Sequence, residues 1–283
     1  MSNPYNKQHA TAAQRVSHLQ SRGLLVPRPT IAARKIEEVG YERLRIYFLS
    51  RRDHTLANRP FRAGTTYKDI LRLYECDAKI RDVCFTGVGR FELVLRNRMS
   101  EVLSAQFGSH PYFEITAFEN SETHNAALHK LIQTFNQSRD ERKKHYQKTY
   151  TEPPLPPIWV MKEFLTFGTS ARLYRALSSN VRGRIANAFG VSSLPVFDSW
   201  VAAFVDLRNI CAHHDRLFNR RFQKQLQRYR QAAVPTGDPA KLKAMLECLD
   251  LVLSRAGATD GLVNRVQKIL DRYPEVSNAE AGF

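Results

Sequence analysis

The sequence predicts an all-α protein, on three observations. Apolar residues recur at steps of three and four through most of the 283 residues. No segment alternates as a strand would, and no repeat of about 20–50 residues appears. Proline, glycine and capping residues fall between the periodic runs. An apolar content of 43% is enough to build a core.

The elements follow in chain order. After Pro27-Arg28-Pro29, the positions Ile31, Ile36, Val39, Leu44, Tyr47 and Phe48 outline one or two short helices. A long periodic run then links Thr66 to Gly108 through Ile70, Leu73, Ile80, Cys84, Val88, Phe91, Leu95 and Met99. Thr66-Tyr67-Lys68-Asp69 reads as a capping box with Asp69 in the usual Glu place, and Gly108 suits a left-handed cap. Unbroken, this helix would extend about 60 Å at 1.5 Å per residue, long for one globular domain. A bend or break is therefore expected near Gly87 and Gly89, glycines that also suit a close helix crossing.

Two further helices are expected over residues 120–135 and 138–150, before Pro153-Pro154-Leu155-Pro156-Pro157 ends the pattern. Helices resume over 158–177, 181–189 and 194–212. The last carries Phe197, Trp200, Val201, Phe204 and Arg208 along one face. Two amphipathic helices close the chain, one on Leu242, Leu246, Leu249 and Leu253, the other on Val263, Val266, Ile269 and Leu270. Gly257 and Asp260 sit between them as stop and start.

Composition narrows the function. No run approaches the roughly 18 apolar residues of a membrane span, and the N-terminus lacks the apolar stretch of a secretory signal. A cytoplasmic protein without a membrane partner is expected. Cys76, Cys84, Cys211 and Cys248 show no C-x-x-C spacing, so reduced core cysteines are expected, with no metal and no cofactor. Formal charge is +16, and 30 of the 43 basic residues are arginine. Arginine's planar fork suits phosphate oxygens, so the chain leans toward a polyanion, with nucleic acid the simplest. Residues 1–64 carry twelve basic and four acidic side chains and read as a basic N-terminal helical extension to a core over 65–283. Residues 216–230 hold six basic side chains and no acid, making Arg216, Arg220, Arg221 and Lys224 candidates for RNA contact.

Polar chemistry gathers at the end of one apolar helix, in Asp206-Leu-Arg208-Asn209-Ile-Cys-Ala-His213-His214-Asp215-Arg216-Leu-Phe-Asn219. Arg208 and His213 are about 140° apart at 100° per residue. They converge if the helix ends near Ala212, or if a second copy supplies a matching set. An imidazole exchanges protons near neutral pH, and a guanidinium holds a phosphoryl group. Those parts can cleave RNA without a metal. The competing reading is that the histidines cap the helix C-terminus.

Arg208-Asn209-x-x-x-His213 resembles the R-x(4–6)-H signature of HEPN domains, α-helical metal-independent ribonucleases that usually act as dimers. The wider string RNICAHHDRLFNR resembles the Abi family, the AbiD/AbiF-like abortive infection proteins of phage resistance. Three stretches match the same family in order: Gly40-Tyr41-Glu42-Arg43-Leu44, Leu73-Tyr74-Glu75-Cys76-Asp77 with Ile80-Arg81, and Leu155-Pro156-Pro157-Ile158-Trp159 through Phe167-Gly168. Cys76 departs from the usual aromatic.

This resemblance implies an HEPN-like helical bundle and an endoribonuclease effector. Arg208 and His213 match the catalytic pair, and Asn209 orients the histidine or the phosphate. His214 would also satisfy the spacing. Glu92 either points into the cleft or pairs with Arg96 at i,i+4. Resemblance also implies a homodimer and an RNA partner, both as substrate and as a structured noncoding RNA that guards the toxin. A non-catalytic RNA-binding protein is the alternative; a DNA-binding reading is weaker, because no recognition helix stands out.

Overall fold

Among the described residues every regular element is helical, and the extended pairings are isolated bridges such as Leu25 with Thr66. The structure, a computed structural model, describes residues 8–258 and 261–283; the expected helix start at Asp260 lies outside them. In chain order the helices are α1 (Ala12–Ser21), α2 (Pro29–Val39), α3 (Tyr41–Ser50), α4 (Tyr67–Phe107), α5 (Ser121–Gln137) and α6 (Glu141–Thr149). Then come α7 (Ile158–Met161), α8 (Phe167–Ala176), α9 (Ser179–Ala188), α10 (Leu194–Ala212), α11 (Leu242–Arg255), α12 (Leu262–Leu270) and α13 (Asn278–Ala281). Packing divides the chain into two units. One runs up to Lys79 and includes Ile269–Ser277; the other holds Ile80–Lys268 and Asn278–Phe283.

The first unit begins with a helix that sequence analysis does not assign, although Thr11-x-x-Gln14 carries its signature. The Thr11 hydroxyl accepts from the Gln14 N–H, and the Gln14 side chain accepts from the Thr11 N–H at 2.8 Å, a complete capping box. Gly40 turns α2 into α3 at φ +91°, which only glycine adopts without strain. That sets Tyr41 against Phe48 and buries Leu44 completely. Tyr47 donates to the buried Asp77 carboxylate at 2.6 Å and meets Tyr74 edge to face, so the Leu73–Asp77 motif is core architecture.

α4 runs without a break through Gly87 and Gly89, so of the expected bend or break the break is absent. A single core would limit a helix to about its own width, whereas α4 contributes to both units. Its start is the expected box: Asp69 accepts from the Thr66 N–H at 2.8 Å and Thr66 accepts from the Asp69 N–H at 3.2 Å. Gly108 follows the last turn at φ +76°. Gly87 marks a crossing. A Cβ there would lie 2.6 Å from Leu262 Cδ1 of α12, itself fully buried, while a Cβ on Gly89 meets nothing within 4 Å. Gly87→Val should therefore lower stability by about 1–3 kcal/mol through overpacking. Gly89→Ala should raise it by up to about 1 kcal/mol through helix propensity. Thermal denaturation of both variants checks the contrast.

In the second unit, fully buried Phe91 of α4 is ringed by Phe204 at 4.9 Å, Phe189 at 5.5 Å, Phe167 at 6.0 Å and Phe197 at 6.4 Å. This cluster joins α4, α8 and α10 and fixes the axis of the helix that carries the polar block. The single helix expected over residues 158–177 is instead two. Leu165 is extended, and Thr166 restarts the chain as the N-cap of α8, accepting from the Thr169 N–H at 3.2 Å. All four cysteines are buried and unpaired, as expected, and burial pushes the Cys76 thiol up to about 12, which leaves it unreactive. No described helix is long and apolar enough to cross a membrane.

Candidate active site

α10 is apolar because it crosses the core. Phe197, Trp200, Val201, Ala203, Phe204, Leu207, Ile210 and Cys211 are all buried. Two buried neighbours on the helix leave Arg208 half-exposed and Asn209 exposed, and past Ala212 the residues His213, His214 and Asp215 all face solvent.

The main chain determines how this helix stops. His213 is the cap residue, and its N–H still reaches the Asn209 carbonyl at 3.0 Å. His214 takes the left-handed conformation at φ +55°. Its N–H donates to the Cys211 carbonyl at 3.0 Å, and the Asp215 N–H donates to the Ile210 carbonyl at 2.9 Å. This is a Schellman motif, in which the main chain closes its own helix end. The carbonyls of Asn209, Ile210 and Cys211 thus have backbone partners.

Arg208 Nη1 donates to Asn209 Oδ1 at 3.3 Å, which ties the two matched residues together. Asn209 and His213 are four positions apart and share a helix face. Arg208 and His213 are not joined: among the described residues no hydrogen bond links them. α10 does end at Ala212, the end point on which their convergence within one chain depends. Glu92 forms the i,i+4 ion pair with Arg96, both side chains mostly buried, so the pairing alternative is the one realised.

The basic run is an ordered strap. Phe222, Leu226 and Tyr229 are buried, Trp200 Nε1 donates to the Gln227 carbonyl at 2.9 Å, and the Gln227 N–H donates to Ser199 Oγ at 3.0 Å. Arg216 folds back on its own loop, donating to the carbonyls of Phe218 and Asn219. Arg220 holds the Arg216 carbonyl at 2.7 Å, and Arg221 pairs with Asp238 at 2.7 Å. Lys224 is exposed, with no ion-pair partner among the described residues. A reading by charge overlooks these ties; the apolar residues at every third or fourth position of the run are the signal for them.

The profile of the Abi-like protein family matches residues 34–219, from α2 to the end of the polar block at Asn219. The chain belongs to that family. The match takes in three of the stretches on which the resemblance rests whole and the fourth up to Asn219, and the family's name points to abortive infection, the bacterial defence against phage. No curated protein and no solved structure matches this Abi-like chain.

Proposed function

We propose that this Abi-like protein is an endoribonuclease effector of abortive infection, of the metal-independent HEPN type, with Arg208, Asn209 and His213 at its active site. The Schellman end of α10 carries this reading. It satisfies the helix terminus through the main chain and presents two imidazoles to solvent, one turn from an arginine bound to its neighbouring asparagine.

In this mechanism His213 takes the proton from a ribose 2′-hydroxyl. That oxygen forms a bond to the adjacent phosphorus, the bond from phosphorus to the 5′-oxygen breaks, and the leaving oxygen receives a proton from an imidazolium. Arg208 neutralises the charge that gathers on the phosphorane oxygens. The separation of Arg208 from His213 within one helix is met by a two-fold dimer, in which two α10 ends face each other and each copy completes the other's site. Growth arrest follows from loss of cellular or phage RNA, and a structured noncoding RNA that occupies the site would hold the effector silent.

Incubating the purified protein with RNA in the presence of a chelator tests the chemistry. Cleavage should proceed and leave a 2′,3′-cyclic phosphate and a 5′-hydroxyl. It should cease on RNA whose 2′-hydroxyls are replaced by hydrogen or methoxy, because the attacking oxygen is then absent. Products ending in 5′-phosphate would sink the mechanism. RNA that is bound but never cut would return the site to the binding-only alternative.

A further inference from the structure

A second surface of the same unit is also basic, apart from the 216–230 strap. Between α5 and α8 lies an open groove of about 520 Å³. Thr123, Ala126, Ala127, Lys130 and Leu131 line it from α5, at the i, i+3, i+4, i+7 and i+8 positions of one face. Thr169, Arg172, Leu173 and Ala176 line it from α8 at the same spacing. Alanines on both helices keep it open. Its rim carries Lys130, Arg172 and Arg175 with His129, and no carboxylate lines it.

These cations are uncompensated. Lys130 Nζ donates to the neutral amide of Gln133 at 2.7 Å, and Arg175 Nε touches only the Ala171 carbonyl at 3.3 Å. Among the described residues no carboxylate pairs with Lys130, Arg172 or Arg175. Arginines nearby in sequence behave otherwise: Arg142 pairs with Asp140 at 2.7 Å, and Arg182 pairs with Asp198. A concave, one-signed surface with an apolar floor focuses its field outward and selects a polyanion.

We propose that this groove grips the phosphate backbone of RNA, at a distance from the cleavage chemistry. RNA as the polyanion rests on the ribonuclease reading above. The distance follows from α8, which turns Tyr174 toward α10, its hydroxyl donating to Asp198 at 2.7 Å, while Arg172 and Arg175 stand exposed. Arg208 lies ten residues beyond Asp198 along α10, about 15 Å at 1.5 Å per residue. The groove thus tethers a long RNA and leaves short substrates untouched.

The test compares Lys130→Gln/Arg172→Gln/Arg175→Gln with the parent, both carrying His213→Ala so that the probe survives. The probe is a fluorescein-labelled, unstructured RNA oligonucleotide, followed by anisotropy across a salt series. Three lost phosphate contacts should weaken binding at least about tenfold and flatten the slope of log affinity against log salt by about 2. Melting temperature should hold, since these side chains lie at the surface. In the active background, KM for the long RNA should rise with kcat unchanged, and cleavage of a trinucleotide should not change. Equal affinity and slope in variant and parent would overturn the groove, as would a parent that binds no RNA. So would loss of binding to phosphatidylserine vesicles with RNA binding intact, which would make this a membrane-facing surface. A protein with His213 intact that binds RNA without cutting it removes the ribonuclease reading, yet the groove still stands if the affinity and slope differences appear.

Discussion

Replacing His213 by alanine should slow RNA cleavage by about 10²–10⁴-fold, the range set by a positioned proton-transfer group. Stability should change by less than about 0.5 kcal/mol, because the side chain is exposed and the helix end is closed by main-chain bonds. His214 needs a different substitution. At φ +55° an alanine would be strained, so His214→Gly is the clean variant: it removes the imidazole and suits the left-handed position. It should cost far less activity than His213→Ala. Arg208→Lys keeps the charge but loses the bidentate fork, and should be crippled as well. Mixing Arg208→Ala chains with His213→Ala chains should recover part of the rate, since a shared dimer would hold one intact site. Single-turnover rates on one RNA, beside thermal melts, check the set. Wild-type cleavage by the His213→Ala protein would remove this histidine from the mechanism.

The largest loss of stability is expected at Phe91. Truncating Phe91 to alanine should cost about 3–5 kcal/mol, as deep aromatic deletions do. Four rings on α8, on α10 and at the end of α9 surround it, and two of them, Phe189 and Phe197, are also held against each other. Urea denaturation should show the midpoint fall. Any cleavage remaining at low temperature should fall too, because Phe204 lies one helical turn before Arg208 on the same face. A midpoint within experimental error of the parent would show that the cluster is not what fixes α10.

Features written locally were legible in the sequence. Steps of three and four, with Thr66, Asp69 and Gly108 at its ends, define α4, and the apolar run through Phe204 defines α10 up to Ala212. The break at Leu165 was hidden because the apolar spacing continues across it, while the Thr166 cap competes only locally. An interruption of α4 was expected from domain size, and the presence of two cores removes that constraint. At the site, the motif picked out side chains that are indeed at the surface of one helix end. The roles of the following arginines were not legible. Arg221 finds Asp238 seventeen residues away, and Arg216 spends its donors on carbonyls, partners that no spacing announces. The groove cations were hidden for the same reason, since Lys130 and Arg172 come from helices far apart in the chain.

The closure of α10 by its own main chain also bears on how such a protein is inherited. A helix end capped by side chains links the chemistry to folding, so a lesion there would leave misfolded debris. Here single exchanges of the residues proposed to act on RNA should leave the fold intact, because Asn209 and His213 are exposed, Arg208 is half-exposed and the helix end is closed by main-chain bonds. If the proposed growth-arresting activity holds, the simplest escape for its host is then a single substitution at Arg208 or His213. Survivors of leaky arrest should include lesions at these two positions, and those survivors should still contain full amounts of intact, silent protein.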